Sequence, residues 1–336
     1  MKKLVAICLA ALLFCASVFA CVSCGDTEKS LAEKVKAGET VKIGVIQYLN
    51  HPSLDNCYAG VKAALDESGI ACEITYKVGS NTTAENDCTA FAQDMASSGY
   101  DLIIAIATPA AVKVYAATAD TKIPVIFCAV SDPVAANLVR DMQNPGDLCT
   151  GTSDVLDLEA QVDLIQSMQP DVKTIGILYT SSEPNSLTNL ANFRKICEAR
   201  NIRVEAAAVQ SASDVPAAAE AVAAKSDCIN NFTDNNVVDN LTVVLEAADR
   251  HKIPVYGSEI EQVKNGCLAA VSIEYVALGR VTGQMAVDVM RGADPATMAV
   301  KTITDATPVI NTDVLKKLNL TLPEKYQSAE TVTTAK

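Results

Sequence analysis

Tryptophan is absent from this 336-residue chain, Phe and Tyr bring the aromatic share to only 4%, and there are just two histidines. With so few rings and a formal net charge of −13, the chain has neither the stacking platform nor the clustered Lys and Arg that nucleic acids require. Two histidines, and cysteines with no C-x₂-C…C-x₂-C or Cys/His pattern, their one close pair being Cys21-Val22-Ser23-Cys24, leave no recognisable metal site. No G-x-G-x-x-G follows the first strand, and there is no G-x-x-x-x-G-K-[ST], so dinucleotides and nucleoside triphosphates lack a phosphate cradle. A G-x-S-x-G elbow is also missing. His51 has the chemistry of a general base but no nucleophile beside it, and His251 sits in the charged run Asp249-Arg250-His251-Lys252, which reads as an exposed helix end. The sequence therefore argues against an enzyme and implies no cofactor.

Long apolar runs are missing too, except at the N-terminus. Met1-Lys2-Lys3 precedes a mostly apolar stretch from Leu4 to Phe19, too short for a membrane span, which ends at Val18-Phe19-Ala20-Cys21. A small residue before Cys21 and an apolar one three positions upstream resemble a bacterial lipobox. Cys21 is the expected lipidation site; Cys24 is the alternative, with Cys21 ill-suited to its upstream apolar slot. Residues 1–20 are thus read as a signal peptide and residues 21–40 as a polar tether from a membrane anchor, on the extracytoplasmic face. The chain has twelve cysteines in all. Cys128, Cys228 and Cys267 fall in or beside apolar strand runs, where a thiol serves as a small buried hydrophobe, and most of the set is read as reduced.

What is abundant is pattern. Nearly half the residues are apolar and a fifth are charged, a globular composition. One half-domain is written twice. The first pass runs Ile43-Gly44-Val45-Ile46, Asp101-Leu102-Ile103-Ile104-Ala105, Ile123-Pro124-Val125 and Ser131-Asp132. The second runs Ile175-Gly176-Ile177-Leu178, Asp227-Cys228-Ile229-Asn230, Ile253-Pro254-Val255 and Ser258-Glu259. Apolar runs alternate with stretches of helical period, which is the mark of βαβ units on parallel sheets. The sequence predicts strands over Leu102–Ala107, Val125–Val130 and Cys228–Phe232, and one helix from there to about His251. The fold expected is α/β: two Rossmann-like lobes joined by a hinge of three segments. Lobe 1 takes residues 41–153 and 275–304, lobe 2 takes 154–274 and 305–323, and 324–336 form a C-terminal tail. The first crossing falls at Gly151-Thr152-Ser153-Asp154. Parallel connections of this kind favour rigid-body closure.

In open α/β sheets ligands bind beyond the carboxyl ends of the strands, where helix N-termini offer free N–H groups. The polar residues there are Tyr48, His51, Thr108, Ser131 and Asp132 in lobe 1, and Tyr179, Ser182, Glu183, Asn185, Asp234, Asn235, Ser258 and Glu259 in lobe 2. Thr108 and Asp234, at helix starts, read equally well as N-caps or as ligand contacts. An amino acid suits this set, its carboxylate meeting Thr108 and Ser131 and its ammonium drawn to Glu183, Asp234 or Glu259. Tyr48 and Tyr179 are available as walls.

Several segments, in order, resemble the substrate-binding lipoproteins of ABC transporters, of the tryptophan or aromatic amino-acid type. They are His51-Pro52-Ser53-Leu54-Asp55, Ala107-Thr108-Pro109-Ala110-Ala111, Ala129-Val130-Ser131-Asp132-Pro133, Gly151-Thr152-Ser153-Asp154, Ser182-Glu183-Pro184-Asn185-Ser186 and Thr233-Asp234-Asn235. The resemblance covers about residues 41–302. It implies a type I periplasmic-binding fold, a monomer that captures a small solute outside the cell, and a membrane permease as partner. A sensor of the same fold, signalling to a membrane receptor, is the other reading. Ser258-Glu259 stands where the family often has Ser-Asp, which lengthens one acidic arm.

Overall fold

A computed structural model describes residues 29–303 and 307–335. The signal peptide, Cys21 and Cys24 lie outside the described residues. So does the middle of the polar stretch that leads from lobe 1 back to lobe 2.

Lobe 1 opens with a short helix, α1 (Leu31–Lys36), and then strand β1 (Val41–Gln47), helix α2 (Pro52–Glu67), strand β2 (Cys72–Val78), helix α3 (Ala84–Ser97), strand β3 (Leu102–Ile106), helix α4 (Thr108–Thr118), β4 (Val125–Cys128) and β5 (Cys149–Ser153). Every residue of β3 and β4 is buried, as expected when helices cover both faces of a parallel sheet. Lobe 2 continues with α5 (Leu158–Met168), β6 (Thr174–Thr180), α6 (Pro184–Ala199), β7 (Arg203–Val209), α7 (Val215–Ala223) and β8 (Cys228–Asn230). It goes on through α8 (Asn235–Asp239), α9 (Leu241–His251), β9 (Val255–Tyr256), α10 (Ile260–Lys264) and β10 (Ala269–Ser272). The chain then returns to lobe 1 with α11 (Tyr275–Met290) and β11 (Lys301–Thr302), and to lobe 2 with β12 (Thr307–Asn311), α12 (Thr312–Lys317) and β13 (Glu330–Val332).

The lobe 1 sheet has the order β11-β5-β4-β3-β1-β2 and is parallel throughout. In lobe 2 the parallel order is β7-β6-β8-β9. Backbone bonds from Leu268 to Val255 (2.7 Å) and from Gly257 to Ala269 (2.9 Å) carry that sheet on into β10, β12 and β13. Here β12 runs antiparallel to β10 and parallel to β13. The return of the chain to lobe 1 is fixed by glycine. A Cβ at Gly60 of α2 would sit 2.1 Å from the carbonyl oxygen of Val276, and one at Gly279 of α11 would sit 2.1 Å from that of Cys57. Gly279 and Gly283 lie one turn apart, so α11 rests backbone-to-backbone on α2.

Four segments differ from the expectations. Within the stretch expected as a C-terminal tail, β13 (Glu330–Val332) extends the lobe 2 sheet. The tether region contains α1, which carries a Ser30–Glu33 capping box and packs Leu31 and Val35 on the lobe 1 core. Helix α5 went unread; its apolar face covers lobe 2, and buried Gln161 bonds Asn230, Gly257 and Val271. The helix expected up to His251 breaks at Asn240 into α8 and α9. Strands β3 and β4 also stop short of the expected ends. The next residues, Ala107 (φ 79°) and Ala129 (φ 55°), turn the chain out of the sheet at positive φ. All eight cysteines among the described residues are free thiols, seven of them buried.

Candidate functional site

A narrow cavity lies between the lobes at the carboxyl ends of the strands. Lobe 1 lines it with His51, Ser53, Leu54, Ala107, Thr108, Ala129 and Ser131, lobe 2 with Asn185, Thr233, Asn235, Val238, Glu259 and Gln262, and the crossings between them with Asp154 and Tyr275. Ala107 and Ala129 both face this cavity in a conformation that non-glycine residues rarely adopt, a strain of about 1–3 kcal/mol each that typically marks functional sites. Ala107 is also the N-cap of α4, with Pro109 in the first turn, so the N-terminus of α4 opens on the cavity.

Among the described residues, two acids line the cavity and no Lys or Arg does. Asp154 accepts hydrogen bonds from the Ser131 hydroxyl (2.9 Å) and the Tyr275 hydroxyl (2.8 Å). Burial pushes its carboxyl above the usual range, and the two hydroxyls partly oppose this. Glu259 caps α10, accepting from the backbone N–H groups of Glu261 (2.7 Å) and Gln262 (2.8 Å). Burial pushes Glu259 up to about 7. Behind them, Glu183 is fully buried and pushed up to about 8, first by burial and then by the neighbouring Asp234. Its Oε2 accepts from Asn185 Nδ2 (3.1 Å), Asn235 N (3.2 Å) and Asn235 Nδ2 (2.7 Å). Asn235 Oδ1 in turn lies 3.3 Å from His51 Nε2 across the cleft. Burial lowers His51 to about 4, which leaves the imidazole neutral. Two more bonds join the lobes, Asn56 to Glu261 (3.4 Å) and Asn81 to Asp239 (2.7 Å).

Of the expected site residues, the fold brings His51, Thr108, Ser131, Asn185, Asn235 and Glu259 to the cavity wall. Glu183 and Asp234 stand behind it. Asp234 is wholly committed to lobe 2, because its carboxylate accepts from Thr180 N (2.5 Å), Thr180 Oγ1 (2.7 Å), Ser186 Oγ (2.6 Å) and Val237 N (3.0 Å). The helix-cap alternative for Asp234 is therefore the one observed. Tyr48 is buried with its hydroxyl on Glu85 (3.3 Å), Asp132 accepts from Ala135 N (2.9 Å), and Ser258 donates to the Asn231 carbonyl (2.8 Å). Tyr179 packs against the lobe 2 core and Ser182 is exposed. Sequence reasoning missed Asp154 and Tyr275, which sit at the first two crossings between lobes. The available signal was positional: residues at a crossing are equidistant from both strand sets.

Two lobes closed over an acid-lined cavity define a solute receptor of the hinged, two-lobed kind. The chain belongs to the ABC transporter substrate binding protein family, whose model matches residues 42–332. These are binding proteins, not enzymes, and they meet their ligand outside the cytoplasm. A tyrosine-binding protein of Clostridioides difficile is 33% identical over 304 residues, covering 88% of this chain and 86% of that one. The crystal structure of an ABC domain in complex with L-Trp from Streptococcus pneumoniae is 35% identical, with a TM-score of 0.83 over 88% of this chain and 100% of that one. The ligand-free, open structure of a substrate-binding protein with adhesive properties from Clostridium difficile is 32% identical with the same coverages, yet its TM-score is 0.66. At such similar identity, the lower score against an open structure agrees with the bonds across the cleft: the lobes here are closed. Among the described residues, no helix is long and apolar enough to cross a membrane.

The bonding of Asp234 gives a direct prediction. Asp234→Ala strips four buried donors of their acceptor, each worth about 1–3 kcal/mol. Urea unfolding should show a loss of about 3 kcal/mol or more. A loss below about 1 kcal/mol would mean that these bonds do not hold lobe 2 together.

Proposed function

We propose that this chain is the solute-capturing component of an ABC importer and that its solute is a zwitterionic amino acid with an aromatic side chain. The observation that carries this reading is the charge of the cavity. Asp154 and Glu259 are buried at its wall, and among the described residues no Lys or Arg lines it to face them. Burying an acid unpaired is costly, so a ligand that brings its own positive charge is favoured. An ammonium group meets both carboxylates, and the α4 N-terminus with the Thr108 hydroxyl receives the ligand's carboxylate. Leu54, Ala107, Ala129, Val238 and the Tyr275 ring supply apolar walls. The tyrosine-binding and L-Trp-bound relatives support the same class. The protein acts as a monomer that delivers its solute to a membrane permease, held at the outer face by lipid on Cys21, with Cys24 as the alternative acceptor.

Calorimetry against amino acids and their deaminated analogues tests the ligand assignment. Charge-assisted hydrogen bonds are worth about 1.5–3 kcal/mol, so Asp154→Asn should weaken amino-acid binding by about ten- to a hundredfold. The analogues should lose far less. A preference for a sugar, or equal losses for both ligand sets, would refute the assignment. For the anchor, Cys21→Ser should move the protein from the membrane to the soluble fraction; retention, with release by Cys24→Ser instead, would transfer the lipid to Cys24.

A further inference from the structure

Three residues that line the cavity each carry a buried polar atom without a hydrogen-bond partner: His51 Nδ1, Asn185 Oδ1 and Thr233 Oγ1. Buried polar groups are rarely left so, and each marks a place where something else bonds. What each atom offers is fixed one layer further out. Asn185 and Asn235 both turn their NH₂ groups to Glu183 Oε2, so their oxygens point elsewhere as acceptors. Asn235 Oδ1 faces His51 Nε2, and an acceptor there requires that Nε2 carry the proton. Because the buried ring is neutral, Nδ1 is then a bare acceptor. This polarity is the same whether Glu183 is ionised or protonated, since Oε2 accepts in both states.

We infer that Glu183, without touching the ligand, sets through Asn235 and Asn185 the polarity of one end of the cavity, making it an acceptor face that takes an N–H or O–H donor on the ligand's side chain. The inference rests on the aromatic amino-acid reading and narrows it, with the ammonium already assigned to Asp154 and Glu259. An indole N–H or a phenol O–H satisfies this face, whereas an unsubstituted phenyl ring leaves its acceptors unpaired. Glu183 is a positioning residue here. The relay also spans the cleft, with Glu183 and Asn235 in lobe 2 and His51 in lobe 1, so it is complete only when the lobes are closed.

Calorimetry with tryptophan, tyrosine and phenylalanine supplies the first test. The wild-type protein should bind the first two at least about tenfold more tightly than phenylalanine. Glu183→Leu should remove that difference, chiefly by weakening the ligands with a ring donor, and Glu183→Gln, which keeps an acceptor oxygen, should retain it. Equal affinity for all three in the wild type overturns the inference while leaving the aromatic reading intact. Failure of all three to bind overturns that reading, and the inference with it. A measurement on the unaltered chain guards against a Leu variant that does not fold. With ¹⁵N-labelled histidine there are only two imidazoles to assign, and His251→Gln identifies the other. His51 should show a protonated Nε2 and an unprotonated Nδ1, and the Nδ1 resonance should move between the phenylalanine complex and the tyrosine or tryptophan complex. A proton on Nδ1, or an Nδ1 resonance indifferent to the ligand, contradicts the relay.

Discussion

The closed cleft holds buried carboxylic acids that no cation at the cavity wall neutralises among the described residues. Asp154, Glu183 and Glu259 are almost wholly inaccessible, and among the described residues the cavity wall holds no Lys or Arg. Taking a charged group out of water without a partner costs several kcal/mol, so the groups respond by resisting ionisation. Glu259 faces two residues of lobe 1 across the cleft: the Ser53 side chain, whose hydrogen bond partly opposes the upward shift, and Tyr275, whose hydroxyl is held protonated in part by the Glu259 charge. A carboxyl raised in one state favours that state as pH falls through the raised value. If opening the cleft re-wets Glu259, an empty receptor is expected to close more readily below about pH 7 than above it. On the proposed reading, a ligand ammonium does at neutral pH what protons do in acid. The ligand shifts the equilibrium by its stronger interaction with the closed form.

The rest of the architecture serves this arrangement. Parallel strands end together at the cleft, and helices α2, α4, α6, α8 and α10 begin there, so backbone N–H groups and short polar side chains converge. Ala107 and Ala129 are held at positive φ, where their small side chains leave room. Asp234 spends its carboxylate on Thr180, Ser186 and Val237, tying the ends of β6, α6 and α8 into one unit. That unit holds Asn185 and Asn235 at the wall. The glycine contact between α2 and α11 does the same for lobe 1, seating Tyr275 against Asp154.

Much of this was legible in the sequence, because the main signals are periodic and repeated. The apolar runs of β1, β3 and β6 admit little other than strands buried on both faces, and their recurrence in order indicates two lobes. The site was half legible. His51, Thr108, Ser131, Asn185, Asn235 and Glu259 follow strand ends, and the rule that ligands bind there locates them. Whether a polar residue at such a place faces the ligand or its own backbone depends on a rotation of one side chain, which no spacing records. Asp234 and Ser258 turn inward to bond their own lobe, while Asp154 and Tyr275 turn outward from crossings. Elements such as α1 and β13 went unread because each is short and takes its stability from packing on a lobe and not from its own pattern.

The central claim is that the positive charge of the ligand closes the cleft, and small-angle scattering tests it most directly. At about pH 8, above the range into which burial pushes Glu259, the empty protein should be expanded. Saturation with tyrosine or tryptophan should reduce the radius of gyration. Saturation with the corresponding deaminated acid, which has the ring and the carboxylate but no ammonium, should leave the protein expanded. Equal contraction by the deaminated acid, or no contraction by the amino acids, would contradict this account.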